Sequence, residues 1–343
     1  MRILQALIFV VSILSVYAHY LNNESSELQA ILYEDFRTGN YLEESTARFN
    51  TVNLDFPNLS LSALPMKGIV AQYYFLGARF NEALDLLNQG QIDNPYIMFS
   101  ESVKSEIFYG LKMKDSAVYY AEKAFTGIPK NQKHFIELAR VYVLQKENQR
   151  IDSIFKIVEK TKVPEIWLYY LSSMLADESY ISEYTKQVAN EAREIFNAPD
   201  TQKQETLYPQ IRLAANYVLI GKENVDLSLK YDDSATANYN KGNYKAAAEL
   251  YSKAAKANPY EYTFFENAGV SYFQAKEYQL AIENLKVVSD SLNPKTGKSE
   301  FVLAQSYFNQ GDSKKACDYV YKSTEYDYVE AYKLIGMYCI TDN

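Results

Sequence analysis

The chain is poor in the residues that most catalytic chemistry needs. It holds two histidines, two cysteines and one tryptophan in 343 residues. A nucleophile needs an adjacent base, and a metal needs several soft or imidazole ligands. His19 lies in an apolar N-terminal run, and His134 stands next to Phe135 at the expected start of a helix, where it reads as a surface helix-end residue. No catalytic residue, metal ligand or cofactor site is therefore assigned. Adjacent carboxylates such as Glu43-Glu44 and Asp232-Asp233 diverge by about 100° on a helix and cannot flank one substrate. Lysine and arginine never form a block, and 43 acidic against 35 basic residues leave a net charge of −8. A nucleic-acid partner is excluded on that ground. Twelve glycines and nine prolines are too few for a turn-rich sandwich.

One short stretch imitates a phosphate loop. "NPKTGKSE" (293–300) carries the closing GKS of the GxxxxGKS pattern, yet Leu292 stands where the first glycine is required. The preceding "EYQLAIENLKVVSDSLNP" has apolar residues at helical spacing (Leu280, Ala281, Leu285, Val288, Leu292), whereas a phosphate loop leaves a strand. The stretch reads as a lengthened turn between helices.

What the chain has in quantity is hydrophobic and aromatic residues in helical periodicity. The N-terminus, "MRILQALIFVVSILSVYAHYL", is almost unbroken in its apolar character from Ile3 to Leu21. It has no polar face to turn to water and is expected to direct the chain to a membrane. Val16-Tyr17-Ala18 fits a signal-peptidase site, and the run is also near the ~20 residues that span a bilayer. Residues 1–22 are therefore expected to be a signal peptide or a membrane-anchor helix, with retention favoured because the apolar run continues past the cleavage site.

Downstream, "GNYKAAAELYSKAAKANP" and "KEYQLAIENLKVVSDSLNP" superpose at an offset of 34, Tyr244 on Tyr278, Ala247 on Ala281, Tyr251 on Leu285. Ala83 with Pro95 and Ala117 with Pro129 repeat the register. Phe135, Leu138, Ala139 and Tyr142, and again Phe265, Ala268, Gly269 and Tyr272, occupy positions 4, 7, 8 and 11 of the first helix of such a unit. The pattern resembles the tetratricopeptide repeat. The resemblance implies an all-α solenoid, a right-handed superhelix of antiparallel helix pairs A and B, in which small residues at positions 8, 20 and 27 let neighbouring helices approach. Repeats begin near residues 25, 64, 98, 132, 228 and 262, with one near 297 a residue out of phase. The expected division is thus 25–163 as N-terminal repeats, 164–227 as divergent helices with a polar loop at 197–210 and without the alanines of helix B, and 228–343 as further repeats with a capping helix.

"GDSKKACDYVYKS" followed by "AYKLIGMYC" resembles the cysteine-bearing C-terminal cap of a group of bacterial cell-envelope tetratricopeptide proteins. Cys317 and Cys339 fall there on neighbouring helices, where a disulfide and a pair of buried thiols both fit. Tyr332, Ile335, Gly336 and Cys339 read as positions 4, 7, 8 and 11 of an unfinished repeat. "ALPMKGIVAQYYFL", "DNPYIMFSES" and "NPKTGKSEF" resemble, more loosely, the repeat tail of O-antigen ligase-like membrane proteins.

The resemblance implies a concave wall made from positions 2, 5, 9, 12 and 13 of the A helices. Position 12 carries Phe36, Phe75, Tyr109, Tyr239, Phe273 and Phe308, interrupted by Val143. Asn240, Gln274 and Asn309 follow at position 13, and Gln305 stands at position 9. Tyr239, Asn240, Phe273, Gln274, Gln305, Phe308 and Asn309 are the candidate groove for a protein or peptide ligand. The expectation is a non-enzymatic exported scaffold, membrane-anchored facing the periplasm or secreted into it; an accessory of a surface-polysaccharide assembly machine is the alternative.

Overall fold

Alanine and long apolar side chains at a 3.6-residue period bury one stripe of each helix, and the repeat decides which neighbour receives it. The computed structural model describes residues 2–40, 53–55, 58–177, 180–197 and 207–339. These fall into two compact units, residues 1–161 and 162–343. Among the described residues the regular structure is helical, apart from an isolated bridge between Leu59 and Pro65.

The first unit opens with α1 (Arg2–Thr38). The helix runs without a break through the boundary expected near residue 22, so the apolar run and the first A helix are continuous. Leu4, Leu7, Ile8, Phe9, Val10, Val11, Ile13, Leu14, Val16 and Tyr17 are each more than half exposed. Among the described residues no helix is long and apolar enough to cross a membrane. Farther along, Leu32 is buried against Met66, Ile69, Val70 and Tyr73. The B helix expected for this repeat falls mainly at 41–52, outside the described residues.

Three helix pairs follow: α2 (Met66–Leu76) with α3 (Phe80–Asp93), α4 (Phe99–Gly110) with α5 (Lys114–Gly127), and α6 (Gln132–Gln145) with α7 (Asn148–Val158). In the second unit α8 (Pro164–Leu175), α9 (Glu183–Ile195) and α10 (Leu207–Ile220) pack together. Then come α11 (Lys222–Asn240) with α12 (Tyr244–Ala257), α13 (Tyr262–Gln274) with α14 (Tyr278–Lys286), and α15 (Lys298–Asn309) with α16 (Ser313–Glu325). The short α17 (Val329–Leu334) passes into a π-helical turn at Ile335–Cys339.

The repeat shows most clearly in the turn between A and B. Ala78, Lys112, Lys146, Gly242, Lys276 and Gly311 all adopt positive φ, between 58° and 83°. The residue after each donates its N–H five residues back: Arg79 to Tyr74, Met113 to Phe108, Glu147 to Tyr142, Asn243 to Asn238, Glu277 to Tyr272 and Asp312 to Tyr307. This is a Schellman ending, which satisfies carbonyls that the last helical turn leaves open. Position 20 packs as the register predicts: Ala83, Ala117, Ala247, Ala281 and Ala316 are at most 1% exposed.

Three departures have physical causes. Helix α9 buries Val188, Ala189 and Ala192, so alanines do serve its packing there. Helix α10 begins at Leu207, with Pro209 in its first turn where a missing N–H costs nothing, so the loop expected to reach 210 ends earlier; its residues 198–206 lie outside the described ones. In the cap, Ala331 is fully buried while Tyr332 is half exposed and Gly336 faces solvent. The stripe that meets α16 is therefore Ala331, Leu334, Ile335 and Cys339.

Candidate interaction face

In the second unit the candidate residues sit on α11, α13 and α15. Tyr239, Phe273 and Phe308 are half-buried, and each packs against an apolar cluster. Two of the rings lie over the start of the following B helix: Tyr239 meets Tyr244 edge-on at 5.2 Å, and Phe273 meets Tyr278 at 5.7 Å. Tyr239 and Phe273 therefore close their A–B turns with part of each ring, and all three rings present the rest to solvent. Asn240, Gln274 and Asn309 are exposed beside it, and Gln305 is half-buried. Asn309 donates to the Gln305 carbonyl at 2.8 Å, a bond within its own helix. For Asn240 and Gln274 no side-chain hydrogen bond is formed among the described residues, so both are open to a ligand backbone.

The GKS stretch has a local role. Gly297 takes φ +74°, and a Cβ there would lie 2.6 Å from that of Tyr328. Lys298 and Ser299 both grip the Glu266 carboxylate, Nζ to Oε1 at 2.7 Å and Oγ to Oε2 at 2.7 Å. Glu266 is 6% exposed. The buried carboxylate of the preceding A helix occupies the groups a phosphate would need, and Lys298 offers no free charge to a ligand. Nearby, burial pushes the Asp232 carboxyl up, helped by Asp233 and Glu261.

At the C-terminal end Cys317 and Cys339 form a disulfide with Cα atoms 5.5 Å apart. The bridge fastens α16 to the turn after α17, and Tyr332 adds a hydrogen bond from its hydroxyl to the Thr324 carbonyl.

The first unit carries a polar network that the sequence reading overlooked. Lys133 Nζ lies 2.9 Å from Glu106 Oε1, Gln72 donates to the other oxygen of Glu106 at 3.5 Å, and Arg140 pairs with Glu137 while stacking over Tyr109 at 4.3 Å. Burial, then the charge of Glu106, raises the Glu137 carboxyl to about 7. The available signal was Gln72, Glu106 and Arg140 recurring at position 9, one per A helix. His134, read as a surface residue, is 3% exposed, and burial pushes its pKa down. It is set inward because Asn131 caps α6 through the His134 N–H at 3.2 Å, which makes His134 part of the first buried turn. Among the described residues no cluster of three or more His, Cys, Asp or Glu could hold a metal.

No family model matches the chain. A stretch of 84 residues is 32% identical to the small glutamine-rich tetratricopeptide repeat-containing protein 2 of Mycosarcoma maydis, covering 24% of each chain. The chain thus spans about a quarter of that curated relative. Among solved structures, a tetratricopeptide repeat protein from Parabacteroides merdae is 10% identical, with 92% of this chain and 100% of that one covered and a TM-score of 0.28. The TPR2AB domain of yeast Sti1 in complex with pHSP90 is 12% identical over 71% of this chain and 95% of that one, TM-score 0.30. At these scores neither chain superposes on the whole of this one, and neither partner nor activity carries over.

Proposed function

We propose that this tetratricopeptide-type array is a non-catalytic scaffold that holds an extended segment of a protein partner along the A-helix face of its C-terminal repeats. One observation carries the reading: half-buried rings at 239, 273 and 308 recur in register with carboxamides at 240, 274 and 309 that point to solvent. Rings would pack on the partner's side chains, and carboxamides would pair with its backbone, which an extended segment leaves unsatisfied. Lys298 is matched by Glu266 and gives the face no free cation, so the partner's recognition rests on shape and hydrogen bonds.

The same proposal places the array outside the cytoplasm, held at a membrane surface by the apolar half of α1. Two features support this: the exposed apolar run from Leu4 to Tyr20, and a disulfide, which persists in oxidising compartments. N-terminal sequencing of the membrane fraction tests it; a chain beginning at His19 would show cleavage instead.

The test of the face is the pair Phe273→Ala with Phe308→Ala. Partner recovery lost by protein that keeps the native helical spectrum, beyond the moderate fall in melting temperature that truncating two half-buried rings brings, is the expected result. A large drop in stability with binding retained by the folded fraction would assign these rings to packing alone. Recovered glycan-assembly proteins would identify the partner machine as one that builds surface polysaccharide.

A further inference from the structure

A cavity of about 370 Å³ opens between α4, α5 and α6 in the first unit. It is lined by Tyr109, Ala117, Val141 and Leu144, with Lys112 and Lys114 also contributing to its wall. Its origin can be read from the repeat. In three other repeats the ring at position 12 is covered by a ring five residues on, at the start of helix B: Phe75 by Phe80 at 6.1 Å, Tyr239 by Tyr244 at 5.2 Å, Phe273 by Tyr278 at 5.7 Å. Here that place belongs to Lys114, which is exposed. Tyr109 turns to the guanidinium of Arg140 at 4.3 Å instead. The notch that a ring fills in those three repeats is here an apolar hollow with two lysines beside it.

We infer that this hollow binds a small amphiphilic anion, an apolar body with a single carboxylate. The volume lies within the ~300–1,000 Å³ of small-molecule sites, and few precisely placed polar groups at an apolar pocket are what such sites have in common. The charge is argued from contrast: the chain carries a net −8, yet Lys112 and Lys114 make no ion pair with a carboxylate among the described residues. An anionic head beside them meets two unmatched cations, and a cationic head meets repulsion. This site belongs to the first unit, and the inference does not depend on the peptide face proposed for the second.

The experiment is titration of the full chain, with isotope-labelled valine and leucine methyls, by sodium decanoate and by decyltrimethylammonium, both below their micelle concentrations. Saturable shifts at Val141 and Leu144 with decanoate, and affinity at least about tenfold weaker for the cation, are expected. Lys114→Tyr places there the ring that three other repeats carry and should abolish the shifts, whereas Lys114→Ala keeps the hollow and should weaken binding by about threefold. Equal affinity for the cation overturns the anion specificity. Undiminished binding to Lys114→Tyr, or no saturable shift at Val141 and Leu144, overturns the site.

Discussion

Replacing Gly269 by alanine is expected to destabilise the protein, although alanine is the better helix former. Gly269 lies in α13 at position 8, and a Cβ built there stands 2.4 Å from Leu285 Cγ and 2.8 Å from its Cδ2. Leu285 cannot retreat, because it is fully buried among Tyr272, Ile282, Val302 and Leu303. Overpacking of this kind costs about 1–3 kcal/mol, and the gain in helix propensity returns about 1 kcal/mol. A net loss of up to about 2 kcal/mol follows. Leu285→Ala alone should cost about 2–5 kcal/mol through the cavity it leaves. In that background the methyl group of Gly269→Ala enters vacated space, so the double variant should be more stable than the sum of the two by at least about 1 kcal/mol. Urea unfolding followed by far-UV circular dichroism gives all four corners of the cycle. A stabilised Gly269→Ala, or strict additivity, would refute the claim that position 8 is set by the approach of helix B.

The turn at position 15 offers a matched pair: Ala78→Gly relieves a left-handed alanine at φ 58° and should gain up to about 1 kcal/mol, while Gly242→Ala at φ 79° should lose about as much, read as shifts in melting temperature. Reduction of the Cys317–Cys339 bridge, which spans a sequence separation of 22, should cost about 3 kcal/mol by freeing the unfolded chain; labelling of both thiols in native, non-reduced protein would contradict it. Glu137 titrates near 7 in the folded chain and nearer 4.5 when unfolded. Its folded state therefore favours the protonated form. That contribution is fully present below the unfolded value and fades as pH rises through about 7, with a slope of at most about 1.4 kcal/mol per pH unit. Glu137→Gln should flatten the stability profile across that window, and an unchanged slope would remove Glu137 as its source.

Legibility in the sequence followed locality. Phe135, Leu138, Ala139 and Tyr142 could be placed by spacing alone, and all four are at most 3% exposed, because position in a repeated helix pair dictates burial. The residues between helices were harder. Lys146 and Lys276 carry the same left-handed turn as Gly242 and Gly311, but lysine gives no hint of positive φ. The extra residue before α15 was visible as a phase slip, and the structure holds a π-helical turn at Val287–Leu292 just ahead of it. Helices were expected over 164–227, but the packing alanines of α9 were overlooked: Ala192 falls 68 residues after Ala124, on the register, while Ala189 falls off positions 20 and 27 and the position-20 alanine is missing. In the candidate face the ring positions were legible, but their partners were not. Tyr244 and Tyr278 lie beyond a turn whose geometry spacing does not report, and Lys298 finds Glu266 across a separation of 32.

The most direct measurement is site-specific photo-crosslinking in cells, with a benzophenone side chain placed at Asn240, Gln274 or Asn309 on the A-helix face, and at the exposed Glu249, Lys253 or Glu283 on B helices as controls. A discrete protein adduct from the A-face positions and none from the controls is the predicted result. Equal adducts from both faces, or none from the A face, would contradict the assignment of that face to a protein partner.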